Sequence, residues 1–219
     1  EALDVEWVLF KSEYMREAFK EIIQKYNKAS ICQVCSMWYI MLTHDIADRF
    51  DTPLIVAGWT DVQSISPDED DREYIPFTKA TEDFVLKLRK KYERYEDFPR
   101  NMGEAMKKAR QKIESKIISP HWFFPEDPED IVPTLKEELD WEKPDKSYPK
   151  GSTNCLLNFV SSYLMNKNFG YTHYHVEQSK LIRKGKILRQ EAENKLEMDF
   201  DREFLNSILE RINCKLPEE

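Results

Sequence analysis

The sequence has 219 residues, of which 41% are hydrophobic and 34% are charged, and its formal net charge at pH 7 is −8. This length and apolar content are enough for a globular protein with one large domain or two small ones. The acidic balance argues mildly against a nucleic-acid-binding surface. No apolar stretch reaches the length of a membrane helix, and the amino end lacks the pattern of a secretion signal, so we expect a cytoplasmic protein.

The first part of the chain contains two short β-prone runs separated by helical patterns. VEWVLF at 5–10 and PLIVAG at 53–58 are predicted strands. Helical spacing predicts one helix within 12–27, capped by Ser12, and another from about 33 to 49. Two strands joined by helices indicate a parallel α/β sheet. Because two strands alone are not a stable sheet, we expect preceding strands to be missing from this sequence.

The rest of the chain is predicted to be mainly helical. Apolar residues recur at three- and four-residue spacing, with charged faces between them, at 78–95, 101–117, 131–141, 152–168, 175–185, 188–196 and 201–212.

Two linkers rich in proline and acidic residues, at 64–76 and 119–133, are either mobile active-site loops or ordinary solvated connectors. The predicted fold is α/β, with an incomplete Rossmann-like portion at 1–62, a helical insertion with linkers at 63–133 and a helical carboxyl-terminal portion at 134–219.

Three cysteines are candidates for a shared site. Cys32 and Cys35 form a CxxC pair near a predicted helix start, and Cys155 follows the capping-type residues GSTN at another. Four cysteines are too few for a disulfide scaffold, and a CxxC pair in a reducing compartment more often indicates metal or redox chemistry. Because a helix amino terminus favours a thiolate, we expect lowered thiol pKa values and good metal ligands.

Three such thiolates suit two kinds of metal centre. One is a [4Fe-4S] cluster with one iron left open, and the other is zinc with a histidine as the fourth ligand. The candidate histidines are His121, His173 and His175. The alternative is that the cysteines are unrelated buried thiols, which is our interpretation of Cys214.

The segment 171–190 is a candidate anion-binding surface. It carries one acid, Glu177, against five basic residues, namely Lys180, Arg183, Lys184, Lys186 and Arg189. Such a patch suits phosphate or another anion. The candidate ligands are His173, His175, Lys180 and Arg183. The alternative is a solvated basic flank that balances the acidic stretch 125–145.

The turn AGWT after the second predicted strand is the candidate nucleotide site. Ligands of α/β sheets bind at the carboxyl ends of strands, so we expect Gly58, Trp59 and Thr60 to contact a nucleotide or substrate. Gly58 would allow close approach of the backbone. The alternative is an ordinary turn at the end of a strand.

Three blocks of sequence carry a family resemblance. They are VEWVLFKSEYMREAFKEI, ICQVCSMWYIMLTHDIADRFDTPLIVAGWT and FGYTHYHVEQSKLIRKGKILRQEAENKL, which together span about half of the chain. In this order they resemble the later part of the PP-loop ATP pyrophosphatase superfamily, especially its N-acetyl sugar amidotransferase branch. In that branch a strand and a helix precede a CxxC-bearing helix, a strand ending in glycine follows, and a helical tail carries a segment like LIRKGKILRQEA.

The resemblance implies an enzyme that uses ATP with Mg²⁺ to adenylate a small molecule or tRNA and releases pyrophosphate. A nitrogen or sulfur nucleophile, supplied by a partner protein, then displaces AMP, and a homodimer is compatible with this scheme. Related tRNA thiolases bind a [4Fe-4S] cluster through a CxxC pair and one distant cysteine, a pattern that Cys32, Cys35 and Cys155 share.

One departure from the family is serious. The phosphate-binding signature SGGxDS does not occur in this sequence. By family order it would precede Glu1, so we expect either a fragment of a longer chain or a protein that cannot handle ATP by the family route. The competing hypothesis is a zinc-stabilised helical binding or scaffold module without catalysis.

Overall fold

The computed structural model describes residues 3–25, 27–63, 75–112, 115–124, 128–144, 146–149, 155–197 and 199–217. Its helices are α1 (Arg16–Gln24), α2 (Ile31–Arg49), α3 (Ile75–Lys91), α4 (Met102–Lys112), α5 (Pro128–Leu139), α6 (Leu156–Phe169), α7 (His173–Arg183), α8 (Arg189–Lys195) and α9 (Arg202–Arg211). Its strands are β1 (Leu54–Val56) and β2 (Lys116–Ile118). The protein is therefore mainly helical with a small parallel sheet, which confirms a mixed α/β fold and the predicted run of helices.

Strands β1 and β2 pair in parallel, with Ile55 opposite Ile117. Serine hydroxyls tie the two ends of this short ladder. The Ser115 hydroxyl donates to the carbonyl oxygen of Thr52 at 2.6 Å, and the Ser119 hydroxyl donates to that of Ala57 at 3.0 Å. These bonds satisfy carbonyl groups beyond the strand ends, where a three-residue ladder provides no partner.

The prediction of a strand at 5–10 is wrong. These residues have no regular secondary structure and are exposed to solvent. The partner of β1 comes instead from 116–118, whose first two residues were predicted as the end of a helix. A β-prone sequence forms a strand only where another strand satisfies its backbone groups, and in this molecule 116–118 takes that position beside β1.

Helix α2 lies at the centre of the core. The Ser30 hydroxyl caps its start by accepting the amide proton of Gln33, and the Ser30 amide donates to the Thr81 hydroxyl at 3.0 Å. Buried residues recur along the helix at three- and four-residue intervals: Ile31, Val34, Met37, Ile40, His44 and Ala47. The helix packs against α3, α4, α6 and β1. Elements from all three predicted portions of the chain therefore share one hydrophobic core.

The connection between α6 and α7 fixes where α7 begins. Gly170 ends α6 in the left-handed conformation, with φ at 75°, and its amide donates to the Asn166 carbonyl oxygen at 2.8 Å. Thr172 then starts α7, and reciprocal bonds with His175 form a capping box. Among the described residues, no helix combines the length and apolar character needed to cross a bilayer.

The capping bond of Ser30 yields a stability prediction. Ser30 is 2% exposed, so water cannot replace its hydroxyl. We expect Ser30→Ala to lower the free energy of unfolding by about 1 kcal/mol in urea denaturation. The matched control is Ser207→Ala on the exposed side of α9, which should change it by less than about 0.5 kcal/mol. Equal losses in the two variants would contradict the capping role.

Candidate functional site

The starts of helices α2 and α6 meet and bring the three candidate cysteines together. Cys32 and Cys35 lie in the first turns of α2, and Cys155 is the N-cap residue of α6. The Cys32 sulfur lies 3.5 Å from Oδ1 of Asn158. The backbone amide of Asn158 in turn donates to the Cys155 carbonyl oxygen at 3.1 Å, so Asn158 and Cys155 share the first turn of α6.

The thiols of this cysteine cluster, Cys32, Cys35 and Cys155, interact electrostatically. Burial raises the pKa of Cys32 to about 12 and that of Cys35 to about 11, and the neighbouring Cys155 raises both pKa values further. The expectation of lowered pKa values for the CxxC thiols is therefore wrong. Burial disfavours a thiolate more strongly here than the helix start favours it.

The donor atoms of the cysteine cluster suit a soft metal in kind, because sulfur ligands are those that zinc and iron–sulfur centres use. Their arrangement does not match. Within the described ranges, no group of three or more histidine, cysteine or acidic residues is placed to hold a metal ion. Cys214 lies elsewhere, at 5% exposure in the main core, as predicted.

Helix α7 adds a carboxyl group to the surroundings of Cys32. Burial raises the pKa of Glu177 to about 7, and Lys180, itself 2% exposed, moderates that rise. The charge of Glu177 also raises the Cys32 pKa, which places the two side chains in electrostatic range. The Ser161 hydroxyl lies near enough to Cys32 to lower its pKa, yet it falls short of a well-formed hydrogen bond and is fully buried.

The predicted anion ligands all lie on α7. Burial lowers the pKa of His173 to about 4 and also lowers that of His175, so both rings are neutral at pH 7. Nδ1 of His175 accepts the Thr172 amide proton at 3.1 Å. Arg183 is exposed and donates to the Ser179 hydroxyl at 2.7 Å. The positive charge for an anion must therefore come from the cations on this helix rather than from its histidines.

A cavity of about 380 Å³ lies at the carboxyl end of β1. Its walls come from α2, β1 with the turn that follows, and β2: Tyr39, Ile40, Thr43, His44, Ile55, Val56, Ala57, Gly58, Trp59 and Ile117. Gly58 and Trp59 were predicted as ligand contacts. Thr60, the third predicted contact, is not among the wall residues, and its amide donates to Oε1 of Gln63 at 3.0 Å.

The walls of this cavity are aromatic and apolar, with a few polar atoms. Nε1 of Trp59 donates to the Tyr39 hydroxyl at 3.2 Å. His44 is 1% exposed, and its Nδ1 lies 3.0 Å from the Ile40 carbonyl oxygen. Because a carbonyl oxygen only accepts, Nδ1 carries a proton, and in the tautomer with a single proton Nε2 is an acceptor. The cavity suits a flat ring, and its described walls contain no lysine or arginine for a phosphate.

The space beside Gly58 is open. A Cβ atom added there would meet no atom within 4 Å. Packing within the protein therefore does not require a glycine at this position. A Cβ atom therefore fits at this position without disturbing the surrounding structure.

The sequence analysis did not predict several residues of these sites. Tyr39, Thr43 and His44 follow the CxxC pair on one face of α2, and their helical spacing could have suggested a common surface. Asn158 and Glu177 carry no comparable signal, because their positions relative to Cys32 depend on tertiary packing.

Comparisons with protein-family models, curated proteins and solved structures found no match to this chain. The resemblance to the PP-loop ATP pyrophosphatase superfamily therefore stays a prediction.

The raised pKa of Glu177 predicts a pH-dependent stability. The contribution of Glu177 to the free energy of unfolding is fully present below its ordinary pKa of 4.5. This contribution is lost as the pH rises through its folded pKa of about 7, because a buried carboxylate must then form. Glu177→Gln keeps the shape and removes the ionisation. We expect this variant to be more stable than the wild type at pH 8 by about 1–3 kcal/mol in urea denaturation, with most of the difference gone at pH 5.

Glu210→Gln, at an exposed position on α9, controls for the loss of one negative charge. If Glu177→Gln and Glu210→Gln shift the unfolding midpoint equally at pH 5 and pH 8, the burial of an ionising Glu177 is refuted.

Proposed function

We propose that this protein adenylates a substrate with ATP and transfers sulfur or nitrogen to the activated atom, as PP-loop ATP pyrophosphatases do. The observation that carries the proposal is the cavity at the carboxyl end of β1. Parallel α/β sheets bind their ligands at that edge, and Gly58 and Trp59 line it there. The family resemblance, which includes both residues in its second block, supports the same assignment.

The size and walls of the cavity favour the adenine ring or another flat part of the reactants. Its volume of about 380 Å³ is at the small end of the roughly 300–1,000 Å³ typical of ligand pockets, so it takes one ring system. Tyr39 and Trp59 provide aromatic surface, and Nε2 of His44 offers an acceptor for an amino group such as that of adenine. Binding there would orient the ring and exclude water from it.

The phosphates of ATP are not assigned to this cavity, because its described walls lack the cations that phosphate groups need. For the cysteine cluster, the donor set suits a metal but its arrangement does not, so the proposal assigns no step to a metal held by these cysteines. In the proposed reaction, the cavity beside β1 binds and orients a ring.

A second candidate is a helical binding module without catalysis, which a specific feature favours. Six apolar side chains near the amino end are each more than half exposed: Leu3, Val5, Trp7, Val8, Leu9 and Phe10. Contiguous exposed apolar residues are typical of a surface that binds another macromolecule. In this case the protein would not bind a nucleotide.

Calorimetric titration with AMP separates the two candidates. We expect saturable binding by the wild type and at least about tenfold weaker binding by Gly58→Val, because the added methyl groups would occupy the open space beside the turn. Gly103→Val is the matched control: it lies on α4, where an added Cβ meets only an ordinary contact, 3.5 Å from Oδ1 of Asn101.

Gly103→Val should bind AMP like the wild type. If the wild type does not bind AMP, the adenylating function is contradicted and the binding module is favoured. If Gly58→Val and Gly103→Val have equal affinity, the ring does not bind in this cavity.

A further inference from the structure

One edge of the small sheet is open. The backbone amide of Ala57 donates to the Ile118 carbonyl oxygen at 2.8 Å, across the ladder from β1 to β2. In a parallel pair, alternate residues of a strand bond to the same neighbouring strand. The backbone groups of Leu54 and Val56 therefore point away from β2, and no other described residue bonds to them there.

The sheet also has an exposed apolar face beside this edge. Leu54, Val56 and Ile118, which lies opposite Val56, are all exposed, Val56 at 65%. The other face carries Ile55 and Ile117, which line the cavity against α2. An open strand edge next to an apolar face is a surface to which a further strand can add.

The amino-terminal segment 5–10 matches this edge. Among the described residues, none forms a backbone hydrogen bond with this segment, which has no regular secondary structure. At its end, the Phe10 ring packs on that of Trp38 in α2, with centroids 6.5 Å apart, so the segment leaves the core at a defined point. Three side chains, each more than half exposed, alternate along it and would form one apolar face of a strand: Val5, Trp7 and Leu9.

We propose that segment 5–10 of one copy pairs with the open edge of β1 in a second copy, which forms a two-fold symmetric dimer. One chain carries both halves of this contact, so two copies satisfy each other's backbone groups at once. The charges also agree, because the one charged residue of the segment, Glu6, is acidic and the exposed face of the sheet carries Lys116, opposite Leu54.

The added strand would make three strands from a described sheet of two, which strengthens a sheet with an apolar face. This inference goes beyond the proposed function and does not depend on nucleotide binding.

Sedimentation velocity of the whole chain over a range of concentrations tests the dimer. We expect the wild type to dimerise reversibly. Val56→Pro removes an amide that points outward and takes no part in the β1–β2 ladder, so it should weaken the dimer by at least about tenfold. The matched control is Val56→Thr, which keeps the amide and the branched Cβ and should dimerise like the wild type.

A second variant alters the segment itself, which is exposed, so the core is left unchanged. Neighbouring residues of a strand point their amides in opposite directions, so Trp7→Pro combined with Val8→Pro removes a pairing amide in any register. This double variant should also weaken the dimer by at least about tenfold. The control, Trp7→Tyr combined with Val8→Thr, keeps both amides and should retain the dimer.

Mixing the two proline variants distinguishes this contact from other modes of dimerisation. Each variant keeps one intact half, so the mixture should form a heterodimer that is weaker than the wild-type dimer and stronger than either variant alone. Hydrogen exchange of the wild type gives a readout without any variant. Peptides that cover 5–10 and 54–56 should exchange more slowly at concentrations where the dimer forms than in dilute solution.

The proposal is overturned if the wild type stays monomeric up to its highest soluble concentration. It is also overturned by a dimer that only one proline variant weakens, or that neither weakens, and by exchange at 5–10 and 54–56 that does not depend on protein concentration.

Discussion

The burial of helix α2 is the constraint on which the other features of the structure depend. Its apolar side chains face a core built from α3, α4 and α6, and its carboxyl-terminal half packs against β1. A helix enclosed on several sides cannot shift without opening cavities, which cost free energy in proportion to their volume. The positions of the groups along α2 are therefore fixed relative to both the sheet and α6.

Both candidate sites include residues of this helix, at different positions along its axis. Its first turns carry Cys32 and Cys35, and its later turns carry Tyr39 and His44, which line the cavity. At a rise of about 1.5 Å per residue, Cys35 lies roughly 6 Å along the helix axis from Tyr39 and roughly 14 Å from His44. The cysteine cluster and the cavity are thus separate sites on one rigid element, and a change at either one can reach the other only through α2 or its neighbours.

The sequence allowed the helices to be predicted, because apolar spacing is a local property that each segment carries by itself. The pairing of strands was not predictable in the same way. Residues 5–10 have the stronger β-prone composition, but β1 pairs with the three-residue strand 116–118. Residues 116–118 form a strand because β1 lies beside them in the fold. Short strands with distant partners leave little periodic signal.

The cysteine cluster was likewise predicted only in part. The two helix starts, one near the CxxC pair and one after GSTN, were predicted correctly, although the N-cap of α6 is Cys155 itself and residues 151–154 lie outside the described ranges. The protonation of the thiols was predicted wrongly, because it depends on their burial in the folded protein. Neither the position of Glu177 beside Cys32 nor that of His44 at the cavity follows from nearby sequence, since tertiary packing decides both.

The proposed ring-binding cavity and the cysteine cluster lie at different positions along α2, and a crystal structure of the protein grown with AMP would examine both. We expect the adenine ring to lie between α2 and the turn at Gly58 and Trp59. We also expect the Cys155 sulfur to lie near those of Cys32 and Cys35, because its charge raises the pKa of both thiols. Electron density for AMP elsewhere, or a Cys155 sulfur far from α2, would contradict these expectations.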